Sequence, residues 1–597
     1  MARPDALDPV LADLDGRLRA ALVAANLPEA DPALERPRQL EHGEWATTLA
    51  LRLAKPAKLP PPQIAQLLVD HLEVPAQVDE VSIAGPGFIN FRLSPAYYAD
   101  LVRDIVTREQ AFERLQVDEV QRERVNVEFV SANPTGPLHV GAGRWAATGD
   151  AIAALLEATG HDVVREYYVN DAGEQVRRFG ESVVLVARGQ ELTEDHYRGA
   201  YITEIADDLR TAHGDALFDD VEGEQAPASG SGVGHKADGE LDDGGEAEAA
   251  PGGVVPATAA RVGALAVEAM RTRIEGQLHQ LGVDFDVWFS EATLHERGDI
   301  DATIEHLGAE GRTYDQDGAT FLRTTEFGDD KDRVLTRSDG RPTYFAADCA
   351  YLRDKWSRAD RLFYLLGADH HGYVGRLQAA AQCLGIPAER LEIRIGQLVN
   401  LLRDGEPVKM SKRAGEMVTL DEVVDEVGVD VTRYHFLRQG LDSQVDFDLA
   451  VVSQQSMENP VYYVQYAHAR ISSLIRMADE RGFDHGELAE ANLLRLEHPA
   501  EHDLLRSMAR LPIEIAEAAE LRATQRLARH AEELAGTFHR FYTECRILPG
   551  DNDDERTAEE QADLDELGRA RYWLAVAARR SLADALALLR VTAPERM

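Results

Sequence analysis

Two short runs carry residue types suited to handling a triphosphate. The first is Ser131-Ala132-Asn133-Pro134-Thr135-Gly136-Pro137-Leu138-His139-Val140-Gly141. It follows the β-rich run 124–130 and opens the helical pattern HVGAGRWAATGDAIAALLEATG. A helix start at that point offers unpaired N–H groups and the positive end of a dipole to phosphate. Gly141 lets a nucleotide approach the backbone, and His139 can donate to phosphate oxygens. An H-x-G on its own is equally a capping turn with an incidental histidine. The second run is Lys409-Met410-Ser411-Lys412-Arg413-Ala414-Gly415. Only seven of the 63 basic residues are lysines, and two of the seven fall within these four positions. A compact ammonium neutralises phosphate as a point charge. Gly405 and Gly415 suit a loop that closes over a triphosphate. A solvated basic loop is the plainer alternative.

Asp369-His370-His371 invites a metal reading. Adjacent histidines on a strand point to opposite faces, however, and no further ligands accompany them. A packing and substrate role is preferred to zinc. The three cysteines, Cys349, Cys383 and Cys545, are far apart and form neither a disulfide framework nor a zinc set.

The elements that position these runs fall into regions. The start mixes an amphipathic helical pattern, ALDPVLADLDGRLRAALVAA, with two strands joined at Gly85-Pro86-Gly87 in VDEVSIAGPGFINFRLS. The strand–loop–helix unit around residues 124–158 opens a parallel α/β sheet. Residues 221–255 are rich in Gly, Ser, Ala and acids without apolar period, and read as a flexible insertion with no catalytic role. Strand-like pieces return at TYFAADCAYL, RLFYLLGADHHGYV and LEIRIGQLV. From about 451 onward nearly everything is helical, including VVSQQSMENPVYYVQYAHARISSLIRMA. No stretch reaches the roughly 18 apolar residues of a membrane span, and MARPDALDPV does not read as a secretory signal. A cytoplasmic protein is expected.

In their order and separation, the two runs resemble the HIGH and KMSKS signatures of class I aminoacyl-tRNA synthetases, with Ala142 where a second histidine is usual. VEFVSANPTGPLHVG, REYYVNDAG, LGVDFDVWFSE, FGDDKDRVL, PTYFAADCAY, GADHHGY, DFDLA and NPVYYVQYAHARI narrow the resemblance to arginyl-tRNA synthetases. GEWATTLALRLAK, AGPGFINFRLS and the closing ADALALLRVTAPERM extend it over nearly the whole chain, residues 221–255 excepted. The resemblance implies an α/β fold: a Rossmann-type parallel-sheet catalytic domain, an N-terminal α+β tRNA-binding domain and a C-terminal all-α anticodon-binding bundle. The expected boundaries are 1–110, 111–400, 401–450 for the lysine loop and its connection, and 451–597. The implied reaction is ligation of L-arginine to tRNA(Arg) through arginyl-adenylate.

The resemblance also assigns roles. Pro134, His139, Gly141, Lys409, Met410, Ser411 and Lys412 would hold ATP with its Mg²⁺, with His139, Lys409 and Lys412 stabilising charge. Glu128, Ser131, Asn133, Tyr344, Asp348 and His370 would line the arginine pocket. Arginine needs carboxylates for its guanidinium, ideally in bidentate pairing, although Glu128 or Asp348 taken singly is as readily a structural salt bridge. Asn170-Asp171 is either a turn or an element beside the pocket. Tyr462, Gln465 and Tyr466 can stack on or hydrogen-bond unpaired bases, against a reading as core at helical spacing. No zinc, membrane or stable protein partner is implied. Two other classes stay open. A small-molecule nucleotidylyltransferase with an HxGH motif would not need the large helical end. A non-catalytic tRNA-binding relative is conceivable from Ala142, and the retained lysine loop argues against it.

The formal net charge is −42. Such a surface repels itself and a polyanionic partner, unless salt shortens the Debye length from about 30 Å at 0.01 M to about 3 Å at 1 M. The acidic, lysine-poor composition therefore points to a salt-rich cytoplasm. The thermal midpoint is expected to rise as KCl increases from about 0.01 M to about 1 M. A midpoint that stays level or falls in that titration refutes the salt-adapted reading.

Overall fold

A computed structural model describes residues 8–37, 39–108, 122–220, 254–408, 418–548 and 557–597. The chain divides into two compact units. One comprises Met1–Val117, Ala158–Gly160 and Gln455–Met597, and the other Asp118–Glu157 and His161–Gln454.

The second unit is built on five parallel strands: β1 (Arg124–Phe129), β2 (Asp162–Val169), β3 (Val287–Ser290), β4 (Arg361–Gly367) and β5 (Leu391–Gly396). Their spatial order is β5-β4-β1-β2-β3. The order reverses between β1 and β4. In open parallel sheets, ligands bind beyond the carboxyl ends of the strands at such a reversal. Val125, Val127 and Phe129 on one face of β1 and Asn126 and Glu128 on the other are all buried, as a strand covered on both faces requires. Helix α1 (Val140–Ala158) returns across β1 so closely that a Cβ on Gly149 would run into the Phe129 ring.

Two strand expectations are corrected. TYFAADCAYL is not a strand but the start of helix α2 (Tyr344–Arg358). Thr343 caps it, its hydroxyl accepting from the Ala346 N–H at 3.4 Å. Phe345, Cys349 and Leu352 are buried at helical spacing, and the alanines between them favour helix. Strand β4 stops at Gly367, and Ala368–Tyr373 forms a 3₁₀ turn. The two histidines are therefore not on opposite faces of a strand. The Gly85-Pro86-Gly87 turn does join two strands, Val78–Ala84 and Phe88–Leu93. The expected insertion lies almost wholly outside the described residues, which resume at Val254.

The first unit contains a four-stranded antiparallel sheet formed by Leu34–Glu35, Trp45–Thr47, Phe88–Leu93 and Val78–Ala84 in that order. It also contains the long helices Pro460–Glu480, Pro499–Leu521, Thr524–Glu544 and Ala558–Leu588. Within this unit Glu44 pairs with Arg506 at 3.0 Å, and Arg580 donates to the Val106 carbonyl at 3.2 Å. Among the described residues, no helix is long and apolar enough to cross a membrane.

One buried cation ties α1 to the segments beyond β5. The Arg144 guanidinium donates to the backbone carbonyls of Gln397 at 2.8 Å, Ser443 at 2.8 Å and Gly440 at 2.7 Å. Burial pushes its pKa down to about 10. Arg144→Met would leave those acceptors without their donor. A loss of about 2–4 kcal/mol is expected in denaturant unfolding, with faster hydrogen exchange across 440–445. An unchanged midpoint would remove this tie from the account of the fold.

Candidate active site

Strand β1 ends in a backbone conformation that few residues tolerate. Val130 and Ser131 both adopt left-handed φ, +67° and +40°. For a β-branched valine this is a true outlier, and such strain persists only where its surroundings enforce it. The Ser131 N–H donates to Phe129 O at 3.0 Å. Its hydroxyl donates to Glu128 Oε1 at 3.1 Å and accepts from the Tyr168 N–H on β2 at 3.1 Å. The other Glu128 oxygen, Oε2, is 2.6 Å from Nζ of Lys355, which is fully buried on α2. The Lys355 ammonium also lies over two rings, 3.8 Å from the Tyr364 centroid and 4.9 Å from that of Tyr351.

The loop beyond this turn leads through Asn133, which is exposed, and Pro134, which is buried, to His139. The His139 Nδ1 accepts from the N–H groups of Gly141 at 3.0 Å and Ala142 at 3.3 Å. The ring thus caps its own helix, and its proton sits on Nε2. A Cβ on Gly141 would meet His139 Cε1 at 2.9 Å, so glycine is what permits this cap. Two of the helix-start donors expected to face phosphate are occupied by the histidine here.

The lysine run Lys409, Met410, Ser411 and Lys412 lies outside the described residues. Its flanks are described. Upstream, the Val408 N–H donates to Leu401 O at 2.9 Å. Downstream, Thr419 forms an antiparallel bridge with His139, and the Leu420 N–H donates to Leu138 O at 2.8 Å. Gln277 reinforces the junction, accepting from the Leu138 N–H at 3.0 Å and donating to Asp421 at 2.7 Å. The segment leaving the lysine run is therefore laid against the histidine loop.

Glu291, Tyr344, His295, Thr343, Pro342 and Ala347 line one pocket. Tyr344 and Asp348 lie one turn apart on α2, and Glu291 follows β3 directly. Tyr373, from the turn after β4, donates to the Asp348 carboxylate. Burial pushes the Asp348 carboxyl up to about 6. The Glu128 charge adds to that rise, while Tyr373 and Arg376 oppose it. Burial likewise pushes Glu291 up to about 7; Asp348 and Asp171 contribute, and a hydrogen bond from Tyr168 opposes. Asp171 accepts from the Ala292 N–H at 3.0 Å, making the Asn170-Asp171 turn a brace for the segment bearing Glu291. His370 sits in the 3₁₀ turn after β4 and is half-buried.

In the helical unit, the Tyr462 and Tyr466 rings stack at 6.0 Å and 8° on half-buried side chains. Arg470 lies over Tyr466 at 5.8 Å. Gln465 faces the packing instead: it is buried, and its Nε2 donates to the Thr592 carbonyl at 3.0 Å.

Sequence reading missed Glu291 and Lys355. Glu291 is a carboxylate placed directly after a parallel strand, where ligands gather. Lys355 is one of seven lysines in an arginine-rich chain, but unlike 409 and 412 it has no neighbouring lysine to make it stand out. Among the described residues no cluster of His, Cys, Asp and Glu could hold a metal ion.

Comparison with known proteins supplies the family. Residues 12–93 match the arginyl tRNA synthetase N terminal domain, and 464–597 the DALR anticodon binding domain. Residues 102–215 and 265–441 match the catalytic domain of class I (R) tRNA synthetases. An arginine–tRNA ligase of Frankia alni is 45% identical over 566 residues, 94% of each chain. A solved structure from Campylobacter jejuni, described as an arginyl-tRNA synthetase, aligns with a TM-score of 0.70 at 31% identity, covering 85% of this chain and 100% of its own. The arginyl-tRNA synthetase of Thermus thermophilus shares the fold, with a TM-score of 0.71 at 22% identity over 98% and 100% of the two chains. With family models matching each of its main regions and a relative 45% identical along nearly its full length, the chain belongs to the arginyl-tRNA synthetase family.

Proposed function

We propose that the chain ligates L-arginine to tRNA(Arg), with Glu291 and Asp348 receiving the guanidinium. The observation that carries this reading is the two carboxylates near Tyr344 that resist ionisation: Glu291, buried and lining the pocket, and Asp348, one helical turn from Tyr344. Two carboxylates that resist ionisation while the pocket is empty become anions when a planar cation with paired donors enters. Ser131, Asn133, Tyr344 and His370 complete the arginine side of the crevice, with Glu128 behind Ser131.

ATP enters with Mg²⁺ as substrate. Pro134, His139 and Gly141 border its loop, and an imidazole N–H is the donor type suited to phosphate oxygens. Lys409, Met410, Ser411 and Lys412 close over the phosphates, the two ammonium groups offsetting charge as pyrophosphate leaves. Arginine's carboxylate attacks the α-phosphate, giving arginyl-adenylate. The 3′-terminal ribose hydroxyl of tRNA then attacks the arginyl carbonyl and AMP departs. No enzyme nucleophile is involved, and the rate comes from positioning and charge stabilisation. Tyr462 and Tyr466, whose stacked, half-buried rings beside Arg470 suit an unpaired base, are the RNA contacts in this reading. Gln465 is not, because its amide is engaged by the Thr592 carbonyl. The reaction belongs to the cytoplasm, and no stable protein partner is invoked.

ATP–pyrophosphate exchange with each amino acid, with and without tRNA(Arg), tests this reading. Exchange is expected with arginine alone; exchange with another amino acid, or with none under either condition, overturns it.

Arginine binding is also expected to depend on pH. With Glu291 at about 7 and Asp348 at about 6, the empty pocket carries protons that the arginine complex must shed. Affinity therefore rises with pH through this window and levels off above it. Calorimetry is expected to give about 10²-fold tighter binding at pH 7.5 than at 5.5, with a heat that varies with buffer ionisation. Glu291→Gln should weaken binding and flatten most of the profile. A flat profile in the unaltered protein would separate these carboxylates from the guanidinium.

A further inference from the structure

We propose that Lys355 is a positioning residue for adenylate formation, acting through Glu128 and the Ser131 hydroxyl to hold the left-handed turn that leads into the histidine loop. The inference rests on the activity proposed above and deepens it.

The geometry forms one chain of contacts. Lys355 Nζ meets Glu128 Oε2 at 2.6 Å, and Glu128 Oε1 accepts the Ser131 hydroxyl at 3.1 Å. The same hydroxyl accepts the Tyr168 N–H at 3.1 Å. A helix, two neighbouring strands and the strained Val130–Ser131 turn thus converge on one serine oxygen. The turn decides where the chain goes next, because loop 133–139 leaves it directly. Two successive non-glycine residues at φ +67° and +40° stay there only under constraint from outside the turn.

Lys355 supplies that constraint at its far end. Its side chain is wholly buried, and aromatic faces enclose the ammonium where carboxylate alone would leave it partly bare. A buried carboxylate without a cation would protonate or turn away, releasing Ser131. In this arrangement Glu128 works from behind the pocket, while Asp348 and Glu291 face the substrate cation.

A merely structural ion pair and a positioning pair differ in what their loss does to folded protein. The test uses the full chain with Lys355→Met, Glu128→Gln and the double variant, which removes both charges and spares the core an unpaired ion. Three quantities are read: single-turnover adenylate formation, calorimetric affinity for arginine, and hydrogen exchange of the Tyr168 amide. Lys355→Met is expected to slow activation about 10²-fold, the scale of a loop displaced by about 1 Å, with arginine affinity falling less, by no more than about tenfold, because Glu291 and Asp348 stay in place. The Tyr168 amide should lose protection. The double variant is expected to regain thermal stability, yet activate no faster than either single change, and it carries the test alone if Lys355→Met fails to fold.

A folded variant that activates at the parent rate overturns the proposal. So does a loss confined to arginine affinity, or single losses that add in the double variant. If the unaltered protein does not activate arginine, the functional reading has failed by itself. The Tyr168 amide then still decides whether Lys355 holds the turn, and full protection in all three variants says that it does not.

Discussion

The register of the parallel sheet sets Glu128 of β1 beside Glu166 of β2, on one face and both buried. Like charges directly opposite one another destabilise a sheet, and buried ones do so without water to screen them. Helix α2 supplies the answer. Lys355 meets Glu128, and one turn later Arg358 meets Glu166 through two donors at 2.6 and 2.7 Å. Asn126 and Tyr351 complete the shell around Glu166 at 2.6 and 2.8 Å. These contacts fix both the depth and the rotation of α2. Tyr344 and Asp348 lie on the same helical face as Lys355, eleven and seven residues before it, so their approach to the pocket follows from the same requirement.

Much of the fold around this site is legible in the sequence. A β-rich run, a Pro/Gly turn and a helical period announce a strand–loop–helix unit, and β1 and α1 occupy it. The loop's histidine was visible, but not its use as a cap for Gly141 and Ala142, because a cap depends on a rotamer that no spacing encodes. TYFAADCAYL misled because a short apolar run satisfies strand and helix patterns alike, and the decision fell to a capping threonine and to burial at a period between three and four. Glu128 and Asp348 stood out singly. Their inequality did not: one is matched by a buried lysine, the other accepts from a tyrosine and raises the pKa of the carboxylate that follows β3. Gln465 shows the same limit, since an amide that can bond a base can equally bond the Thr592 carbonyl. Pairings across hundreds of residues are set by tertiary packing, which a single chain's periodicity does not report.

Charge operates on two scales here. Exposed pairs such as Arg403–Glu426 at 2.7 Å and Arg495–Asp563 at 2.8 Å contribute little individually and less in salt. Buried ones such as Arg433–Asp150 at 2.7 Å lie beyond the reach of mobile ions. A medium that screens the acidic surface therefore leaves the interior electrostatics of the active site as they are, and the two can be adjusted separately.

The buried ammonium on α2 also marks where compositional drift must stop. In a chain whose basic residues are overwhelmingly arginine, a lysine in the interior departs from the prevailing choice. At position 355 the exchange would bring a planar fork with five N–H donors into a space enclosed by Tyr351 and Tyr364, where Glu128 is the acceptor in reach. The surplus donors would be stranded and the rings pushed aside. Bulk replacement of lysine, the simplest route to a more salt-tolerant version of this enzyme, has to make an exception at this position.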